Sequence, residues 1–437
     1  MALVTVLAGC DGGGGDAKPA AAASSSPAAP DSAEPTPAGP TRISRADVAD
    51  LLAGQTRALQ AGDETAFLAP YEGSGPEAVG ERLRVFANLR LVPFSAAEFI
   101  ADEAFEDQTA QDTGPLEAEV RVDFRHQVAG VDAVPARTAH LYRFVRSSAE
   151  APLRVAAVAG VAGSGSAAPW DHGEMAVVER PHVVLLAAKA DRAKAAGWAD
   201  TAEGLAASTL AAWKGPALPV TRLLVYAAPS QDLFIQAYEP HPREAKATVT
   251  MSCRSVPAAD GWSEVCALRS GPGAARIVIR TDSPAFDPQR DEENRWHVGG
   301  TFNAAMLAAL CQETCNNRSW AQSGYNSSRN WGYTSAKSSF RNAAYAVTHS
   351  TAFDGKLPDT DVMWNGSATA SDAHRYAASL VVHYIVLEFG SEKAHQFVAA
   401  VVRGPDDSVV DAALKAATGL DRGAFEKQWA AWVRASA

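Results

Sequence analysis

The sequence predicts an α+β chain with two folded bodies behind a flexible leader. Residues 116–128, 137–147 and 153–163 alternate apolar and polar, or run apolar, as strands do. Residues 182–188, 221–228, 246–253 and 275–282 repeat that signal. From about residue 340 the apolar period becomes helical and stays so to the end. Strands first and helices after give a segregated α+β body rather than alternating βαβ units. At 437 residues and 47% hydrophobic, the chain has material for two domains and a sizeable core.

The leader comes first. "MALVTVLAGC" is an apolar run that closes on Cys10. The small residues Leu7, Ala8 and Gly9 ahead of Cys10 resemble the lipobox of an actinobacterial-type lipoprotein. The resemblance implies that Cys10 is lipidated, with residues 1–10 acting as a signal peptide. The run is short and no Lys or Arg precedes it, so the true start is expected upstream of Met1. Residues 11–41 are mostly Gly, Ala, Ser and Pro, which cannot bury enough apolar surface to offset chain entropy. They read as a disordered tether that could reach roughly 90 Å. The expected location is the extracytoplasmic face of the cell membrane, held there by lipid. No later stretch has about 20 uninterrupted apolar residues. With 39 Lys+Arg against 50 Asp+Glu and a net charge of −11, no basic face is available for nucleic acid.

Outside the cytoplasm disulfides persist. Cys253, Cys266, Cys311 and Cys315 then read as two bridges, with three pairings open. The local one is favoured: Cys253–Cys266 closes a short loop between strands, and Cys311 and Cys315 lie one helical turn apart. A metal reading of "CQETC" lacks a second Cys/His pair at zinc-site spacing.

Residues 42–165 form the first body. Ser44 is placed to cap a helix carrying Val48, Leu51, Leu52 and Leu59 on one face. Leading helices followed by curved antiparallel strands resemble the nuclear transport factor 2-like fold. Such a cone could hold an apolar small molecule. "GSGSAAPWDHGE" at 163–174 marks the expected boundary.

Residues 175–437 form the second body. Its strand–helix–strand opening (182–228) is followed by "HRYAASLVVHYIVLEFGSEKAHQFVAAV" and a closing "ALKAATGLDRGAFEKQWAAWV". Together these resemble the peptidase MA-like domain of zincin metallopeptidases. That family needs His-Glu-x-x-His on a helix, with two His as zinc ligands and the Glu as base, and a third ligand from a later Glu. Neither that motif nor its inversion exists here. In the aligned stretch "HSTAF", His349 keeps the first ligand position, Ser350 stands at the base and Phe353 at the second ligand. In "WNGSATA", Asn365 stands at the third. The scaffold is therefore expected to be degenerate and non-catalytic, with no cofactor. Its role would be binding a peptide or a glycan, through the old cleft or through the Asn-rich stretch.

That stretch, 316–342, holds five of the nine Asn of the chain together with Trp320, Tyr325, Trp331 and Tyr333. It reads as a long surface loop or, more sharply, as an aromatic binding surface. Two rival functions stay open. One is a zinc peptidase with a different ligand set, drawn from His297, His374, His383, Glu392 or His395. The other is a small-molecule-binding protein that works through its first body. Nucleophile elbows, phosphate-binding loops and dinucleotide fingerprints are absent.

Overall fold

The computed structural model describes residues 40–111, 114–160, 168–230, 232–234, 250–254, 265–271, 274–281, 292–311, 319–330, 336–350 and 353–437. Cys10, the tether through residue 39, Cys315, Trp331 and Tyr333 lie outside them. The architecture is α+β.

After β1 (Arg42–Ile43), α1 (Arg45–Ala61) starts where Ser44 was expected to cap it. The Ser44 side chain accepts the Asp47 N–H and the Asp47 carboxylate accepts the Ser44 N–H, a reciprocal capping box. Gly62, at φ 72°, ends the helix in the left-handed region that Gly tolerates. Two further helices follow, α2 (Glu64–Leu68) and α3 (Pro76–Leu91), the latter with Pro at its first position, where the missing N–H costs nothing.

The strands are β2 (Phe94–Ala101), β3 (Gln108–Thr109), β4 (Leu116–Val128), β5 (Ala136–Arg146) and β6 (Arg154–Gly160). β1 pairs with β3, and an antiparallel sheet runs β2-β4-β5-β6. Alternate residues of β4 (Ala118, Val120, Val122, Phe124, His126, Val128) point inward into a core shared with α1, α2 and α3.

A second sheet takes β7 (Met175–Glu179), β8 (Val183–Ala188), β9 (Leu223–Ala228), β10 (Thr250–Arg254), β11 (Val265–Gly271) and β12 (Ala274–Arg280) in the order β10-β11-β12-β9-β8-β7. β8, β9 and β12 are parallel, and the other pairings are antiparallel. Its central strands are covered on both faces, which is why "VVLLAA" and "LLVYAA" run apolar without alternating. One face meets α4 (Arg192–Ala212) and α5 (Glu292–Ala309). Here Ala195, Ala199, Ala202 and Ala206 make a stripe of small residues against Val183, Leu185, Val225 and Ile277. The other face, with Val184, Leu186, Leu224, Tyr226 and Val278, joins the core of the first body. The two bodies expected on either side of residues 163–174 thus pack on a common core.

The β4–β5 hairpin fixes that junction. The Gly130 carbonyl accepts the N–H groups of Thr221 (2.8 Å) and Arg222 (2.9 Å). Gly130 has φ 73°, and a Cβ there would sit 2.9 Å from Thr221 Oγ1, so the close approach requires Gly. Two residues on, Asp132 accepts both terminal nitrogens of Arg276 from β12, at 2.5 and 2.9 Å, and also the Val128 N–H at 2.8 Å. Both charged residues are buried.

The C-terminal helices are α6 (Trp320–Asn330), α7 (Ala336–Thr348), α8 (Thr360–Asn365), α9 (Ala368–Phe389), α10 (Ser391–Arg403), α11 (Val410–Thr418) and α12 (Arg422–Ser436). They enclose a core that includes Leu380, Phe397, Leu414, Phe425 and Trp429. One expectation is corrected here. The Asn-rich stretch is in part α6, and Trp320 and Tyr325 are each only 1% exposed. Trp320 meets Phe397 at 5.8 Å and Tyr325 meets Trp213 at 5.7 Å, so both are core residues and not a binding surface. Cys253 and Cys266 face each other in the β10–β11 register, and Cys311 is disulfide-bonded.

Removing one partner of a buried ion pair leaves an uncompensated charge, typically about 3–5 kcal/mol of destabilisation. Asp132→Ala should lower stability by about that amount in urea unfolding, and pairing it with Arg276→Met should recover most of the loss. A single variant that unfolds like the parent protein would show that the hairpin is not anchored by this pair.

Candidate functional site

Each of the four peptidase-aligned positions has local partners. His349 follows the last residue of α7; its N–H donates to the Tyr345 carbonyl at 3.0 Å, and its ring stacks on the Tyr345 ring at 3.8 Å. It is exposed and finishes its own helix. The Ser350 N–H closes the same turn onto the Val347 carbonyl at 3.1 Å. Phe353 packs its ring against Trp429 (5.7 Å), with the Arg434 guanidinium 5.5 Å from the ring centre. Asn365 is exposed and donates to Asp361 at 2.6 Å, within α8.

His297 lies within α5. His374 Nδ1 accepts the Asp359 N–H at 2.9 Å, which ties α9 to the start of α8. His383 packs on Phe340 at 5.2 Å, and burial lowers its pKa. Glu392 accepts from Gln396 on the surface, whereas His395 turns into the core. Among the described residues, no three His, Cys, Asp or Glu side chains are grouped to hold a metal. The donors at the aligned positions therefore do not fit a zincin zinc ion: Phe353 supplies none, and Asn365 and His349 serve their own helices.

What sequence reasoning missed is a set of buried polar atoms without partners, in two places. The first lies on α5 and α6: Thr301 Oγ1, Asn303 Oδ1, Gln322 Oε1, Asn326 Oδ1 and Arg329 Nε. Gln322, Asn326 and Arg329 recur at helical spacing and share one face. The opposite face carries Gly324, where a Cβ would come within 2.3 Å of the Ala378 carbonyl oxygen of α9.

The second lies on the inward face of the four-stranded sheet. His140 Nε2 is 3.1 Å from Asp171 Oδ2. His140 Nδ1, Asp171 Oδ1, Trp170 Nε1 and His172 Nε2 lack partners. Arg84 and Asn88 of α3 hold the Trp170–Gly173 turn by its carbonyls. His140 thus meets Asp171 through Nε2 alone, and its Nδ1 has no partner. Nearby, Gln55 donates to the Tyr71 hydroxyl at 2.7 Å, and burial pushes the Tyr71 and Tyr142 phenols upward, so both stay protonated. Such groups can orient a small oxygenated molecule. The one sequence signal was phase: His126 and His140 fall on inward positions of alternating strands.

Two buried imidazoles are held neutral. His126 stacks on Phe124 at 5.1 Å, edge-on to Trp170 at 4.9 Å. Burial first, and the Arg276 charge second, lower its pKa to about 4. His395 lies flat on Trp213 at 4.9 Å, and its Nδ1 accepts the Lys214 N–H at 2.7 Å. Burial, then Arg329 and Lys214, likewise lower its pKa to about 4.

No protein-family model matches the chain, and no curated protein sequence matches it.

Both imidazoles have folded-state pKa values below the unfolded value of about 6.5, so the unfolded chain binds protons first as pH falls. Their stabilising effect is complete above about pH 6.5 and is lost between there and about pH 4. Once pH is below about 4, each has lost on the order of 3 kcal/mol of stability relative to neutral pH. Unfolding midpoints should drop progressively across that window. His126→Phe, which keeps the aromatic stack, should remove about half of the slope. A flat profile from pH 7 to pH 4.5 would contradict this assignment.

Proposed function

We propose that the chain is a lipid-anchored, extracytoplasmic binding protein. In this reading residues 175–437 keep a zincin-like peptidase scaffold whose catalytic metal set has been replaced. One observation carries it. At the four positions the resemblance aligns, His349, Ser350, Phe353 and Asn365 are each engaged in a local turn, a helix or the core. Peptide hydrolysis by a zincin needs three protein ligands and a base. The β8–α4–β9 opening and the C-terminal helical half support the scaffold side of the reading. The nuclear transport factor 2-like reading of residues 42–165 is supported by three helices followed by the antiparallel β2-β4-β5-β6 sheet.

The orphaned His140, Asp171, Trp170 and His172 atoms favour a second reading, in which the first body binds a small molecule. Solvent extraction of the purified protein with mass spectrometry tests it; a chain that carries nothing and binds nothing from a metabolite mixture would rule it out.

The purified protein should hold no stoichiometric zinc by elemental analysis and show no chelator-sensitive peptidase activity. His349→Ala should shift stability by less than about 0.5 kcal/mol, because the side chain is exposed. One zinc per chain, lost together with activity on chelation, would return the peptidase with another ligand set to first place. For the anchor, Cys10→Ala expressed with its full leader should move the protein from the membrane fraction to the soluble one. Unchanged fractionation would count against lipidation.

A further inference from the structure

We propose that the open edge of β7 is a docking strand for an extended, acidic segment of a partner polypeptide. This holds whether or not the helical half ever binds metal.

β7 ends the order of the six-stranded sheet. Arg180 and Val183 exchange both backbone hydrogen bonds (2.8 and 3.4 Å), and the Lys189 N–H donates to the Glu174 carbonyl at 2.8 Å. In an antiparallel pair the bonded residues alternate, so Glu174, Ala176, Val178 and Arg180 face β8. Met175, Val177 and Glu179 therefore turn their backbone groups outward. The Met175 N–H is taken by Asn88 Oδ1 at 2.9 Å, and the Glu179 carbonyl by the Arg180 side chain at 3.0 Å. Between them, Val177 directs its N–H and its C=O into open space.

That space is a cleft of about 620 Å³, within the range of about 300–1,000 Å³ usual for ligand sites. Its floor is the β7 edge. One wall is α3, with Arg84, Ala87 and Leu91; the other is the start of α4, with Arg192 and Ala196. Leu91 is 48% exposed. Exposed edges are normally blunted by Pro, by a bulge or by a central charge. Met-Ala-Val-Val-Glu has no Pro, keeps an unbroken register with β8 and carries its one charge at the end. This is an edge suited to being covered.

Charge selects the occupant. The two carboxylates lining the cleft are neutralised, Glu174 by Lys189 (3.0 Å) and Glu179 by Arg222 (2.8 Å). Arg84 directs its donors to the carbonyls of Trp170, Asp171 and Gly173. Neither it nor Arg192 has a carboxylate partner among the described residues. At the start of α4 the N-cap carboxylate, Asp191, is paired with Lys194 at 3.4 Å, and Arg192 of the first turn is left as an exposed cation beside it. Both walls are thus positive above an unpaired strand. A second copy paired edge to edge would set these cations against their own images, which disfavours self-association.

The test uses the full chain at low ionic strength, with a fluorescein-labelled peptide alternating Glu and Val as probe and fluorescence anisotropy as readout. Saturable binding is expected for this probe and not for its Lys–Val counterpart. Arg192→Glu, an exposed change that suits a helix N-terminus, should weaken binding roughly tenfold. N-methylation of alternate probe amides should abolish binding in one phase, where the methyl groups face β7, and spare it in the other. Absence of saturable binding overturns the proposal. So does binding that ignores both Arg192→Glu and the methylation phase. Concentration-dependent dimerisation lost in Val177→Pro, which removes the outward N–H of the edge, would assign the edge to a second copy instead.

Discussion

A parallel strand trio with both faces apolar cannot stand in water, and most of the chain is arranged around that constraint. β8, β9 and β12 need cover above and below. The Ala stripe of α4 and one side of α5 cover one face. The other is covered by side chains that also fill the first body, among them Phe124, Phe99 and Trp170. The β4–β5 hairpin sets how the covers meet, through two backbone bonds at Gly130 and the Asp132–Arg276 pair. Burying two charges is costly, and well-packed apolar residues often do as well. What the pair adds is direction: a bidentate guanidinium–carboxylate contact accepts one geometry, whereas apolar surfaces slide. The aromatic cluster around His126 sits against this anchor, and so the neutral state of His126 follows from the same junction.

The sequence was most legible where burial is one-sided. β4 alternates because one of its faces lies on a core, and α10 to α12 show helical stripes because each turns one side to solvent. Ser44 was legible because capping is local chemistry. Legibility failed where burial is all-round. α5 carries "TFNAAMLAAL", buried on every side, so it shows no period and no helix was assigned to it. The 316–342 stretch failed for another reason. Its Asn and Ser content suggested a loop, but Trp320, Tyr325 and Gly324 answer to tertiary contacts that composition does not record. The site was least legible of all. His140 and Asp171 are far apart in sequence and match no motif; only the fold brings them together.

The same packing logic bears on the aligned peptidase positions. A metal-binding helix must aim several donors into a cleft and leave them unsatisfied by protein. In this chain each such position has a local partner instead. Phe353 contributes its ring to the Trp429 and Arg434 contacts, and an imidazole there would place a polar nitrogen against an apolar wall. Glu426, a few residues along α12, accepts the Leu357 N–H and the Lys356 ammonium, pinning the link from α7 to α8. Under the proposed reading, such contacts make the altered scaffold self-sufficient without an ion. Reversing a single position would then disturb packing before it restored chemistry.

Unsatisfied groups are the counterpart of that self-sufficiency. Most buried polar atoms in a folded protein find partners. Among the described residues here, many of the atoms that do not lie at the Trp170–His172 turn and His140 or on α5 and α6, and others, such as Trp429 Nε1, are scattered. At the β7 edge the deficit is in the backbone rather than in side chains. Each arrangement forgoes hydrogen bonds the fold could otherwise have made. Deficits of this kind persist when something outside the chain satisfies them. The β7 edge differs from the two buried clusters in being open, so a polypeptide can reach it without any rearrangement of the core. The outward N–H and C=O of Val177 suit the backbone of an extended segment, and the flanking Arg84 and Arg192 set the sign of the side chains it carries.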